Sequence, residues 1–198
     1  FNEQVAQFRM PKVHRVTHLD RRTQQQRVET TVTEFDGEGN LLKHIEPSGV
    51  TTSTEFYPAS GGDSCPEDPL GFSRFPRKRT VTAAASGGTS TVTYYDYALH
   101  TALEGAELAS VLPVEERFCE VLEGVEVLRS KTARSYLNTP GDPLKHGATK
   151  EQSVILNDKK TAIEFSYELE GDRLRVRSST RGFDGTLQTS EKVLSTLT

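Results

Sequence analysis

Along most of the chain apolar and polar residues alternate with a period of two, the pattern of strands with one dry face and one wet face. The clearest stretch runs from Thr161 to Arg177. Ile163, Phe165, Tyr167 and Leu169 fall on one face, and Ala162, Glu164, Ser166 and Glu168 on the other. After Glu170-Gly171-Asp172 the pattern resumes, with Leu174 and Val176 on the apolar side and Arg173, Arg175 and Arg177 on the polar side. The spacing predicts a β-hairpin in which an acidic strand faces a basic one. Opposite charges across strands contribute only about 0.2–1 kcal/mol per pair, so they set register while the apolar face holds the hairpin together.

The same alternation recurs in RVETTVTEF, STVTYYDYAL and ERFCEVLEGVEVL. Glu123-Gly124 predicts a second hairpin turn, and Asn157-Asp158 a third corner before the Ile163 strand. Helical signal is poor: Ala98 to Leu112 holds helix formers, but Gly105 interrupts them and Pro113 follows. Two irregular passages, Pro58 to Pro76 and Asn138 to Gly147, are rich in Gly, Pro and Asp and read as surface loops. The expected organisation is all-β: hairpins over 1–58, a Gly/Pro-rich loop over 59–75, and further strands of the same sheet over 76–198, with a loop at 138–147.

Composition sharpens this picture. Hydrophobic residues make up 34% of the 198 residues, a fraction better suited to sheets with one solvated face than to a thick two-sided core. The formal charge of −4 is small and its signs are interspersed, so there is no basic stripe for nucleic acid and no basic amphipathic helix for a membrane surface. No apolar run is long enough to insert as a transmembrane helix. The first residue is Phe1, and Thr198 falls within a polar alternating run, which suggests a segment of a longer polypeptide. Cys65 and Cys119, far apart in dissimilar contexts, read as two independent thiols.

Candidate chemistry is sparse. Asp36, Glu38 and Asn40 alternate as in a calcium loop, but an EF-hand needs Gly sixth and Glu twelfth, where Leu41 and Pro47 stand. A tight turn fits better, with Gly37 and Gly39 free to take positive φ and the side chains of Asp36 and Asn40 bonding nearby amides. His14 and His18 lie on one side of a strand about 13 Å apart, too far to share a metal ion. No nucleophile elbow, phosphate loop or zinc-protease motif occurs, so no catalytic residue, metal or cofactor is expected. Tyr94, Tyr95 and Tyr97, around Asp96, are candidates for a carbohydrate-stacking surface, although aromatic residues in strands commonly serve sheet packing.

The stretch EFDGEGNLLKHIEPSGVTTSTEFYP, residues 34–58, resembles the YD repeat of Rhs proteins, in which an aromatic-Asp pair precedes Gly-Arg-Leu, a short strand, a Gly turn and a second strand. Phe35-Asp36 takes the place of Tyr-Asp, Gly39-Asn40-Leu41 that of Gly-Arg-Leu, and Gly49 that of the closing turn; Gly37 completes the corner. A looser echo is Phe183-Asp184-Gly185. The texture of the whole chain is similar to the core of large Rhs/YD-repeat proteins, related to the B and C components of Tc insecticidal toxin complexes. DPLGF, Asp68 to Phe72, is similar to the self-cleavage signature of such shells. It lacks the tandem Asn and Tyr, and is read as a Pro-Gly loop without catalysis.

The resemblance implies hairpins joined edge to edge in a long twisted sheet, a segment of a hollow shell enclosing a C-terminal toxin. The partners would be the rest of that shell and its payload. The protein would be secreted, or delivered by a specialised toxin system of a Gram-negative bacterium. The role would be structural, not enzymatic, and an isolated segment would tend to self-associate through its strand edges. The alternative is a carbohydrate-binding β module at a cell surface.

Overall fold

The computed structural model describes residues 10–84, 88–182 and 185–195. They form one antiparallel sheet of twelve strands in simple sequence order, with no helix among the described residues. The strands are β1 (Val13–Leu19), β2 (Gln26–Phe35), β3 (Leu41–Ile45), β4 (Thr51–Phe56), β5 (Pro76–Thr82), β6 (Ser90–His100), β7 (Ser110–Leu122), β8 (Val125–Tyr136), β9 (Thr149–Leu156), β10 (Lys159–Glu170), β11 (Arg173–Arg181) and β12 (Leu187–Ser195). The all-β expectation therefore holds.

The hairpin read from alternation has the expected register. Leu169 faces Leu174, Tyr167 faces Val176, Glu168 faces Arg175 and Glu170 faces Arg173. Both other predicted corners are two-residue turns whose central residues have positive φ: 50° and 80° at Glu123-Gly124, 48° and 62° at Asn157-Asp158. That geometry matches the right-handed twist of the flanking strands. The helix formers after Ala98 are divided between the end of β6, a nine-residue connection turned at Gly105 (φ 82°) and the start of β7. Glycine at positive φ there overrides the local propensity.

The sheet is a single layer. Among the described residues the buried side chains are Tyr57, Cys65, Val92, Cys119, Asp68 and Ser153. Val92 and Cys119 are cross-strand neighbours in the middle of the sheet, and both cysteines are free thiols. The accessible surface is 13791 Å², against the ~9,300 Å² expected of a compact chain of this mass.

The two faces differ chemically. One carries charge ladders: Lys43 with Glu34, Lys78 with Glu126, Arg117 with Asp96 and Glu115, Lys131 with Glu115, and Arg175 and Arg177 with Glu191. The other face carries more Thr, Ser, aromatic and aliphatic residues, such as Thr52, Thr54, Thr93 and Tyr95 in the centre and Phe165, Tyr167 and Val176 toward β12, together with ion pairs such as Arg27 with Glu29 and Arg134 with Glu116.

The connections are asymmetric as well. At one end of the strands lie the turn 36–40 and the three longest described loops, residues 57–75, 101–109 and 137–148, each following an even-numbered strand. Each of those four strands carries an aromatic residue at or within three residues of its end, Phe35, Phe56, Tyr97 or Tyr136, at a register shift that leaves one extra residue in the next strand. Pro76 and Pro113 sit opposite Phe56 and Tyr97 at these bulges, positions where a strand tolerates a missing amide donor.

Protection against amide exchange should follow this architecture. In hydrogen-exchange mass spectrometry, β6 and β7, which have neighbours on both sides and share the longest ladder, are expected to exchange slowest, and β1 and β12 fastest. Uniform protection across all strands would contradict a single-layer sheet with free edges.

Candidate functional site

The corner after β2 is built by Asp36. Its Oδ1 accepts from the amides of Glu38 at 2.9 Å and Asn40 at 2.8 Å, and its Oδ2 accepts from Asn40 Nδ2 at 2.8 Å. Partial burial works against ionisation, but the bonds from Asn40, Glu38 and Gly39 hold the Asp36 carboxyl below the usual range. Gly39 has φ 90° and Gly49 φ 87°. Gly37 is not among the residues with positive φ, so that part of the expectation is corrected: Asp36 caps the turn and only Gly39 needs left-handed backbone. A Cβ on Gly49 would lie 3.0 Å from that of Ala84, so close approach adds to the conformational demand. Phe35 and Leu41 face each other at the bulge, with Leu41 38% exposed. Gly185 has φ 81°; Phe183 and Asp184 lie outside the described residues.

The sequence gives no sign that this corner is fastened to a neighbour. Ser73 donates its amide to Glu38 Oε2 at 2.8 Å, and Asn40 Nδ2 donates to the Ser73 carbonyl. The 57–75 loop thus joins the 36–40 turn along one rim.

That loop, expected as an ordinary surface interruption, supplies half of the buried side chains. Tyr57, Cys65 and Asp68 are at most 7% exposed. Tyr57 donates its hydroxyl to the Tyr95 carbonyl at 3.2 Å and meets Tyr97 edge-on at 6.2 Å, while Phe75 lies 5.1 Å from Tyr97. Beside its bulge, the Tyr97 amide donates to the Ser64 carbonyl at 2.7 Å. Asp68 accepts two bonds from Arg74, from Nε at 2.5 Å and from Nη2 at 3.1 Å, and a third from the Leu70 amide at 2.8 Å. The DPLGF segment is thus a loop staple, with its carboxylate fully engaged. Gly61 (φ 76°) has no room for a side chain, because a Cβ would lie 2.5 Å from the Cys65 carbonyl oxygen.

The three candidate stacking tyrosines do not form one platform. Tyr94 lies on the charged face, with Lys78 Nζ 5.3 Å and the Arg117 guanidinium 5.5 Å from its ring centre and its hydroxyl donating to both Glu126 oxygens, at 2.9 and 2.8 Å. Burial, then the bond to Glu126, pushes its phenol pKa up. Tyr95 lies on the opposite face in an open groove with Phe56 and Arg79. Tyr97 is packed under the loop, and burial raises its phenol further.

A second loop pair, 101–109 with 137–148, closes on two imidazoles. His100 and His146 stack with ring centres 4.4 Å apart, and Tyr136 meets His100 edge-on at 6.3 Å. His146 Nε2 lies 2.8 Å from the Thr101 carbonyl, which can only accept, so that nitrogen carries the proton. Nδ1 then accepts from the Thr139 amide at 3.1 Å. The Glu104 amide bonds the Pro140 carbonyl at 2.8 Å. His100 Nε2 is enclosed without a hydrogen-bond partner. Burial, and after it the neighbouring His146, depress the His100 pKa, although its bond to the Leu137 backbone opposes this.

No group of His, Cys, Asp and Glu among the described residues is arranged to hold a metal ion. No family model and no curated protein matches the chain. Among solved structures, a DUF3836 family protein from Parabacteroides distasonis is similar at 12% identity and a TM-score of 0.28, over 52% of this chain and 92% of that one.

Two outcomes test this rim. Replacing Gly39 by Val forces a β-branched residue to positive φ and should cost about 1–3 kcal/mol, read as a lowered melting temperature; an unchanged value would remove Gly39 from the corner. Because the folded pKa of His100 is depressed, its stabilising effect is full above the unfolded value of about 6.5 and is lost as pH falls through the folded value. Protection factors of the Thr139 and Glu104 amides, that is, exchange corrected for the intrinsic pH dependence, should therefore fall between pH 7.5 and 5, and His100→Phe should flatten that dependence.

Proposed function

We propose that the chain is a structural wall segment of an Rhs/YD-repeat shell, serving to enclose a C-terminal toxin domain until delivery. The observation that carries this reading is the combination, among the described residues, of a twelve-stranded single layer, an edge strand at each end of the sheet with no further strand beside it, and an accessible surface about half again that of a compact domain. A sheet of this kind buries little by itself and is completed by neighbours, as units of a repeat array are. All seven residues of β1 and all nine of β12 are exposed, and an exposed edge strand is a template for pairing with a further strand. The Asp36 corner, with Gly39, Asn40 and Gly49 in the roles that the repeat motif assigns them, adds support at the level of single residues.

On this reading the chain performs no reaction. Its partners are the rest of the shell, joined to β1 and β12 through backbone bonds, and the enclosed payload. A Gram-negative secretion or toxin-delivery system exports the whole.

A second reading, a carbohydrate-binding module, draws on one observation, the open groove beside Tyr95. Tyr94 and Tyr97 contribute nothing to it, since their rings are occupied elsewhere.

Limited proteolysis of the full-length polypeptide tests the wall. An enclosed C-terminal domain should resist protease until denaturant opens the shell, and a domain digested as fast as its isolated form would overturn the reading.

A further inference from the structure

In the central strands β3 to β8, cations are generally paired with acids. Lys43 meets Glu34, Lys78 meets Glu126, Arg117 meets Asp96, Arg129 meets Glu120, Lys131 meets Glu115 and Arg134 meets Glu116. Arg79 is an exception: among the described residues no carboxylate lies within ion-pair distance of it. It stands between two threonines, Thr54 on β4 and Thr93 on β6, directly across from it in both ladders. The result is a guanidinium without an ion-pair partner, flanked by hydroxyl-bearing side chains, on a face where the nearest acid in register, Glu116 across from Tyr95, is engaged by Arg134.

Arg79 lines a groove of about 500 Å³. Phe56 and Tyr95 supply aromatic surface in it, and Thr52 and His44, cross-strand neighbours, add a hydroxyl and an imidazole. The Tyr95 carbonyl accepts the Tyr57 hydroxyl, which ties the strand backbone to the loop, while among the described residues the Tyr95 ring makes no aromatic or cation contact with the loop cluster. Glu46 closes one end, where its carboxylate accepts from Ser48 Oγ at 3.2 Å.

A ligand fitted to this lining needs three properties. It needs a carboxylate for the planar fork of Arg79, which favours bidentate recognition. It needs hydroxyls for the threonines and His44. It needs a flat C–H face for Phe56 and Tyr95, since aromatic side chains offer an apolar body with a polar tip. We propose that the groove is a binding site for a carboxylate-bearing sugar ring, a uronic acid or a residue of an acidic polysaccharide. The proposal rests on the second reading above, independently of whether the sheet is a shell wall, and narrows that reading to one groove and one class of saccharide.

The test is a titration of the isotopically labelled chain, followed by NMR shifts of backbone amides, with D-glucuronate, D-glucose and acetate as separate probes. Glucuronate should move the Thr54, Arg79 and Thr93 amides saturably, while glucose and acetate at the same concentrations leave them in place. Arg79→Gln and Tyr95→Leu should each weaken glucuronate binding at least about tenfold, and Arg134→Gln, a paired cation on the same face, should not change it. Dispersed spectra of the variants exclude loss of fold as the cause. Saturable binding of glucose without preference for glucuronate would keep the carbohydrate reading and overturn the acidic-sugar assignment. Equal shifts with acetate would reduce the site to a simple anion contact and overturn it as well. No shifts with any probe would sink both.

Discussion

Main-chain hydrogen bonding between adjacent strands is the interaction on which the rest of the structure depends. In a domain with two packed layers, the sheet is held from above and below by buried side chains. Here burial is confined to a few positions, and no described residue falls below 2% exposure. Each strand is therefore held chiefly by the two beside it, and an end strand by one. Folding of this kind propagates along the sheet, and stability rises with each added neighbour. A sheet of twelve strands also exceeds the width at which strongly twisted open sheets commonly stay a single layer without curling.

Side chains act within that constraint by fixing register and differentiating surfaces. The charge ladders of one face are solvent-exposed, and individually such pairs are worth little. Together they penalise a one-residue slip, because slipping would carry Glu168 and Arg175 to the opposite face while exchanging Leu169 and Leu174 for charge. At the loop-bearing rim the loops are tied to one another: Ser73 joins the first two, Tyr57 reaches β6, and His146 bridges the last pair. Half of the buried side chains lie in the 57–75 loop, where it packs against the sheet, so the rim adds packing that the ladder lacks.

Much of this was readable in the residues, and the limits have physical causes. The β10–β11 register followed from period-two alternation, and the Glu123-Gly124 and Asn157-Asp158 corners from turn chemistry, because both are local properties. Asp36 and Gly39 were legible for the same reason. The staple of Asp68 to Arg74, the anchoring of Glu38 to Ser73 and the enclosure of Tyr97 were not. They are contacts between segments whose spacing carries no periodic signal, and loop composition says only that a strand has ended. The separation of Tyr94 from Tyr95 onto opposite faces does follow from strand periodicity. A reading of the tyrosines as one cluster overlooks it. The bulge aromatics left a trace as well: Thr-Glu-Phe occurs at residues 33–35 and again at 54–56, each at a strand end.

Those bulges have a geometric consequence. Each inserts one extra residue on one side of a ladder, at the loop-bearing end of four successive hairpins, and a bulge bends its strand and sharpens the local twist. Bends repeated at the same end do not cancel. Each further hairpin that carries the insertion adds its own bend and twist, as does the shift between Phe118 and Cys119 in the β7–β8 ladder, so lengthening such a sheet also turns it.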